Sequence, residues 1–189
     1  MLDYKKYFEK GIPFDTYQLN MEEEIKLGII NDHSQYIPQN MQRMKRIGKT
    51  IKLIPEINEA LTNLKHNYNW LIISEHWCGD ASQIVPIMNA IAKQSDGKIN
   101  LKLIYRDENL ELMNAHLTNG TQSIPILLQL DENFHLNKVW GPRPQPCIDF
   151  VQELKKSPNF QEEFKEKLHK WYADDKGMST QIELLSLLK

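Results

Sequence analysis

Cys78 and Cys147 are the two thiols of the chain, far apart and too few for a disulfide framework. Each is therefore either a reactive thiol or a buried apolar residue. Cys78 lies in Ser74-Glu75-His76-Trp77-Cys78-Gly79-Asp80-Ala81, between an apolar run and a segment of helical periodicity that starts at the cysteine itself. A strand followed by a helix puts this thiol at a helix N-terminus, where unpaired N–H groups and partial positive charge favour the thiolate, the form that attacks disulfides. Asp80 in the first turn is stabilised by the same dipole but opposes an anion beside it. The helix end is expected to win, leaving Cys78 with a pKa below that of a free cysteine. The plainer alternatives are a small buried Cys78 in a decayed site and an Asp80 that satisfies backbone N–H groups. Glu75 and His76 read as exposed loop residues. No His, Cys, Asp or Glu spacing fits metal ligation, so neither a metal nor another cofactor is expected.

The elements that position these groups are legible from apolar spacing. Ile25 and Ile29, then Ile37, Met41 and Met44, recur as single helix faces, and Pro55 suits the first turn of a helix carrying Ile57, Leu61 and Leu64. Trp70–Ile73 reads as a buried strand. Cys78–Ala92 is expected to be a helix with Ile84, Ile87, Met88 and Ile91 inward and a kink at Pro86. Ile99–Tyr105 is a second strand, Asn109–Leu117 a helix, and 125–130 with 138–140 a hairpin. Gln145–Lys156 is a helix opened by a proline-rich loop. The stripe Phe160, Phe164, Leu168 and Trp171 and the segment Ile182–Leu188 add terminal helices expected to pack on the core. The order implies an α/β fold, in which parallel strands need crossover helices.

Composition narrows the class. Of 189 residues 41% are hydrophobic and 25% charged, as in a folded domain, and the formal charge of −2 gives no reason to expect nucleic acid or an anionic membrane as partner. No apolar run is long enough to span a bilayer, and the first residues lack the apolar core of a secretory signal, so a cytoplasmic protein is expected. The basic cluster Arg43, Lys45, Arg46, Lys49 and Lys52 reads as a solvated helix face.

The Trp77-Cys78-Gly79-Asp80 turn resembles the Trp-Cys-Gly-Pro-Cys active site of thioredoxins. Pro86 falls at that family's helix-kinking proline, Ile124-Pro125 at its cis-proline, and Gly141 at the glycine bordering it. The resemblance implies a thioredoxin-like fold: a central mixed sheet of about four strands flanked by helices at 51–156, with an N-terminal helical extension at 1–50 and a C-terminal one at 157–189. The whole chain is also similar to bacterial thioredoxin-like proteins carrying such extensions and a Trp-Gly-Pro-Arg-Pro segment, here Trp140–Pro144.

Two departures matter. The resolving cysteine is replaced by Ala81, and the family's buried carboxylate, six positions before Cys78, by Ile72. The dithiol cycle is therefore unavailable at this motif. The resemblance leaves two functions open: a monothiol thiol–disulfide oxidoreductase attacking through Cys78, and a non-catalytic binding module using the groove near Trp77, Pro125 and Gly141. On the first, the partner is a protein or a low-molecular-weight thiol or disulfide, the latter also serving as co-substrate. Trp77, Gly79, Asp80, Ile124, Pro125 and Gly141 are the expected substrate contacts. Arg106, after a parallel strand, and Arg143, after Gly141, are placed at the same rim, where guanidinium groups can hold carboxylates or stabilise the thiolate. Both can equally be solvated or structurally paired. Cys147 is read as buried and too far from Cys78 to resolve it.

Overall fold

The computed structural model describes residues 2–28 and 33–189. In chain order the elements are α1 (Tyr4–Lys10), β1 (Ile12–Pro13), α2 (Phe14–Leu27), α3 (Ile37–Thr50), α4 (Pro55–Thr62), β2 (Tyr68–Ser74), α5 (Gly79–Gln94), β3 (Ile99–Tyr105), α6 (Leu110–Asn114), β4 (Ile126–Leu130), β5 (Leu136–Trp140), α7 (Gln145–Leu154), α8 (Phe160–Asp175) and α9 (Met178–Leu184), with a closing 3-10 turn at Leu185–Leu188.

The described strands form one mixed sheet in the order β1-β3-β2-β4-β5. β2 sits centrally, and every residue of it except Asn69 is buried, as an apolar run covered on both faces requires. It pairs in parallel with β3, Ser74 opposite Tyr105, and antiparallel with β4, Ile73 opposite Ile126. Helix α5 is the crossover that makes the parallel pair possible. The fifth strand was not expected: β1 is two residues long and ends in Pro13, which is tolerated because β1 lies at the sheet edge.

Burial agrees with the apolar spacing in α3, where Ile37, Met41 and Met44 are buried, and in α4, where Ile57 and Leu61 are. α5 runs through Pro86 without interruption to Gln94. Other expectations are corrected. In α2 the inward stripe is Phe14, Tyr17 and Met21, and the last turn runs past the core, leaving Ile25 exposed; Ile29 lies outside the described residues. α6 stops at Asn114, and Leu117 beyond it is exposed. In α8 Leu168 and Tyr172 are buried, while Phe160, Phe164 and Trp171 are only partly so. In α9 Leu184 faces inward and Ile182, half a turn away, is 56% exposed. Among the described residues no helix is long and apolar enough to cross a membrane.

Candidate functional site

β2 ends at Ser74, and a tight turn carries the chain into α5, the Cys78 N–H donating to the Glu75 carbonyl at 3.1 Å. Cys78 is the N-cap of α5, the position where a side chain accepts from the orphan N–H groups of the first turn. Its Sγ accepts from the Ala81 N–H at 3.4 Å, and the thiol donates to the Ile124 carbonyl at 3.3 Å. The residue is only 5% exposed. Burial, with Asp80 adding to it, pushes the Cys78 thiol up to about 12, against the pull of the Ala81 and Asp80 N–H groups and of Arg143. The expected depressed pKa is thus reversed: two N–H groups at a helix end do not offset removal of the sulfur from water.

Among the described residues Asp80 accepts from no backbone N–H. Its carboxylate is gripped by Arg143 through Nε at 2.8 Å and Nη2 at 2.6 Å, and accepts from the Tyr172 hydroxyl at 2.7 Å. Burial works against the Arg143 charge, but Asp80 outweighs it and raises the arginine pKa. Arg143 is therefore a structural partner of Asp80 rather than an unoccupied carboxylate receptor. Cys147 is a fully buried thiol that burial pushes up to about 12, against a pull from Tyr172. Both cysteines are free thiols.

The hairpin end closes the other side. The Ile124–Pro125 bond is cis, as is Gly141–Pro142. Gly141 has φ +127°, and a Cβ there would lie 2.3 Å from the Pro125 carbonyl oxygen, so only glycine fits. Over the sulfur opens a cleft of about 750 Å³. Trp77, Cys78, Gly79, Asp80, Ile124, Arg106 and Arg143 all line it, whereas Pro125 and Gly141 do not and Pro142 does. The Arg106 guanidinium stacks 4.7 Å from the Trp77 ring centre and bonds Asp107 and the Gln122 carbonyl.

A family model described as thioredoxin matches residues 30–155, about two thirds of the sequence. The chain belongs to the thioredoxin family. It is 30% identical over 77 residues to Thioredoxin 1 of Nostoc sp., spanning 41% of this chain and 69% of that protein. Against a thioredoxin of Synechocystis sp. it is 26% identical over 72 residues, spanning 38% of this chain and 64% of that one. Solved structures match over nearly the whole length: a Pseudomonas aeruginosa protein of unknown function at TM-score 0.71 and 19% identity (100% and 98% of the two chains), and an HIV epitope scaffold at TM-score 0.66 and 17% identity (99% and 98%). These last two speak to fold alone.

Within this thioredoxin-family site, the two positions emptied of dithiol chemistry are filled by packing. Ala81 and Ile72 are both fully buried. Behind the motif the reading of exposed loop residues fails. His76 is buried, 2.7 Å from Glu24 through Nδ1 and 3.1 Å from the Tyr105 hydroxyl through Nε2, and Asn40 of α3 donates to its carbonyl at 3.1 Å. Glu75 is half-buried and accepts from the Asp107 N–H at 2.9 Å; burial pushes its carboxyl up to about 7. Of the basic cluster, Lys45, Arg46, Lys49 and Lys52 are exposed as expected, but Arg43 is half-buried and lines the cleft. The residues that sequence reading missed come from α8. His169 packs on Gly79, where a Cβ would meet its ring at 3.2 Å, and Tyr172 holds Asp80. Their one sequence signal was a place beside Leu168 and Trp171 in the apolar stripe. Among the described residues no group of three or more His, Cys, Asp or Glu can hold a metal.

Proposed function

We propose that this thioredoxin-family chain is a monothiol thiol–disulfide exchange protein. Cys78 is its reacting sulfur, Trp77 and the backbone at Ile124 support the substrate, and a low-molecular-weight thiol is the co-substrate. The observation that carries this reading is the setting of Cys78, the N-cap of α5 at the floor of an open cleft, its sulfur between the Ala81 N–H and the Ile124 carbonyl. In the forward step Cys78 gives up its proton and bonds one sulfur of a substrate disulfide. The other substrate sulfur leaves as a thiolate and takes up a proton. A second thiol, as thiolate, then attacks the substrate sulfur of the mixed disulfide and releases Cys78, which is reprotonated. The substrate disulfide is the oxidant and the external thiol the reductant; Ala81 takes no part. A reducing compartment such as the cytoplasm suits this cycle.

With the thiol pushed up to about 12, the thiolate fraction at neutral pH is small, exchange is slow, and its rate rises with pH. The same fact favours a second reading, a binding module that uses the cleft without chemistry. Intact-mass spectrometry after incubation with bis(2-hydroxyethyl) disulfide at mildly alkaline pH separates them. Exchange requires one adduct, absent from Cys78→Ser, released by added thiol, with no Cys78–Cys147 disulfide. A folded protein that stays unmodified for hours overturns the exchange reading and leaves the binding module.

A further inference from the structure

Resting on the exchange reading, we infer that the cleft over Cys78 takes a small thiol or disulfide bearing carboxylate groups rather than an extended polypeptide strand. Three observations carry this. The first is enclosure. Residues of α3 and α8, outside the 51–156 segment, line the cleft, and α8 lies against the first turn of α5 through His169 on Gly79 and Tyr172 on Asp80. The surface beside the sulfur is thus bounded by α3 and α8. The second is size: about 750 Å³ falls within the roughly 300–1,000 Å³ of small-molecule sites.

The third is charge. Asp80 and Arg143 cancel as a pair and Arg106 is paired with Asp107, which among the described residues leaves Arg43 and Lys165 facing Glu166 as the one other lining carboxylate. Among the described residues Arg43 pairs with no carboxylate; it donates to Asn40 Oδ1 at 3.0 Å, and burial and Arg46 both bear against its charge. The Arg106 guanidinium carbon lies 4.7 Å from the Trp77 ring centre, its Nε is paired with Asp107 and its Nη1 bonds the Gln122 carbonyl, and among the described residues its Nη2 makes no hydrogen bond. Arg43, half-buried and among the described residues without a counter-charge, can receive a carboxylate bidentately, and Arg106 in the same cleft has one nitrogen left to offer. Lys165 sits at the rim, 4.1 Å from the Tyr36 ring centre. The reaction is the balanced exchange given above: Cys78 bonds one ligand sulfur and the other leaves as thiolate.

The experiment compares mixed-disulfide formation at Cys78 of the full chain with dithiodiglycolate, bis(2-hydroxyethyl) disulfide and cystamine. Each rate is divided by that of free N-acetylcysteine at the same pH. The expected order is anionic, neutral, cationic, with about tenfold between the ends. The spread narrows with rising salt and in Arg43→Gln and Arg106→Gln. The salt series on the unaltered protein keeps the result decisive if a variant misfolds. Equal relative rates, the reverse order, or faster reaction with a disulfide-bearing peptide of strand length overturn this inference while leaving exchange standing. No reaction with any of the disulfides overturns the exchange reading, and this inference with it.

Discussion

At the residue scale the decisive group is Asp80, a carboxylate two positions from the proposed reacting sulfur and largely out of water. Its presence is intelligible once Arg143 and Tyr172 are seen to hold it, since a buried charge needs a partner and satisfied lone pairs. Asp80→Asn removes a negative charge that raises the Cys78 pKa and frees the Arg143 charge to favour the anion, so both effects act in one direction. Iodoacetamide alkylation at fixed pH should then run faster than in the unaltered protein, about tenfold for each unit the pKa falls. Arg143→Gln works oppositely. It strands a buried carboxylate with only a tyrosine, and should cost about 3–5 kcal/mol of stability by urea titration while slowing alkylation. The double variant should be more stable than Arg143→Gln alone, because the stranded charge is gone; additive losses would mean that the two side chains do not act as a pair.

At the scale of elements, the C-terminal helices are held by deeply buried side chains. Leu184 of α9 is fully buried, and Leu187 and Leu188 of the following turn nearly so. Leu184→Ala should cost about 2–5 kcal/mol, and Ile182→Ala, on the exposed face of the same helix, less than about 0.5. A pair of thermal melts decides it, and equal shifts would show that α9 does not dock as described. The sequence pattern could place a helix here but not choose its inner face, because Ile182, Leu184, Leu185 and Leu188 offer competing stripes. The same ambiguity hid Tyr172. Residues three and four positions beyond Leu168 both continue a helical stripe, and only the distant Asp80 carboxylate favours the one with a hydroxyl. Where the signal is local, legibility was good: the buried strand β2 and the helix start at Cys78 follow from short-range pattern, and the glycine at 141 was picked out by the resemblance to thioredoxins. β1 was invisible because two residues carry no period. The walls of the cleft were invisible because α3 and α8 meet the Cys78 turn only through tertiary packing.

At the scale of the whole molecule, the buried titratable groups fix how stability follows pH. His169 is pushed down to about 4 by burial and then by Arg43. An unfolded chain takes up that proton near 6.5, so its contribution is lost as pH falls from 6.5 toward 4. Burial also lowers His76, against the pull of Glu24, which adds to the same loss. Glu75 opposes them, because the native state keeps its proton up to about 7 whereas the unfolded chain releases it near 4.5, so that part is lost as pH rises between those values. With histidines and glutamate pulling against each other, the acid limb should be shallow. The alkaline limb has no such opposition. Cys78 and Cys147 both keep protons to about 12 that the unfolded chain gives up from about 9.0, so unfolding releases protons and stability falls as pH climbs through that window. Each thiol contributes a slope of roughly 1.4 kcal/mol per pH unit where the two states differ by a whole proton. Urea midpoints followed by tryptophan fluorescence should therefore change little near neutrality and drop steeply above about pH 9. The double variant Cys78→Ser/Cys147→Ser, with no ionisable group at either site, should delay that drop to the range where Tyr17 and Tyr172, also raised by burial, begin to matter. An unchanged alkaline limb would mean that water reaches both sulfurs in the native state, and Cys78 would then be a far more available thiol than its burial implies.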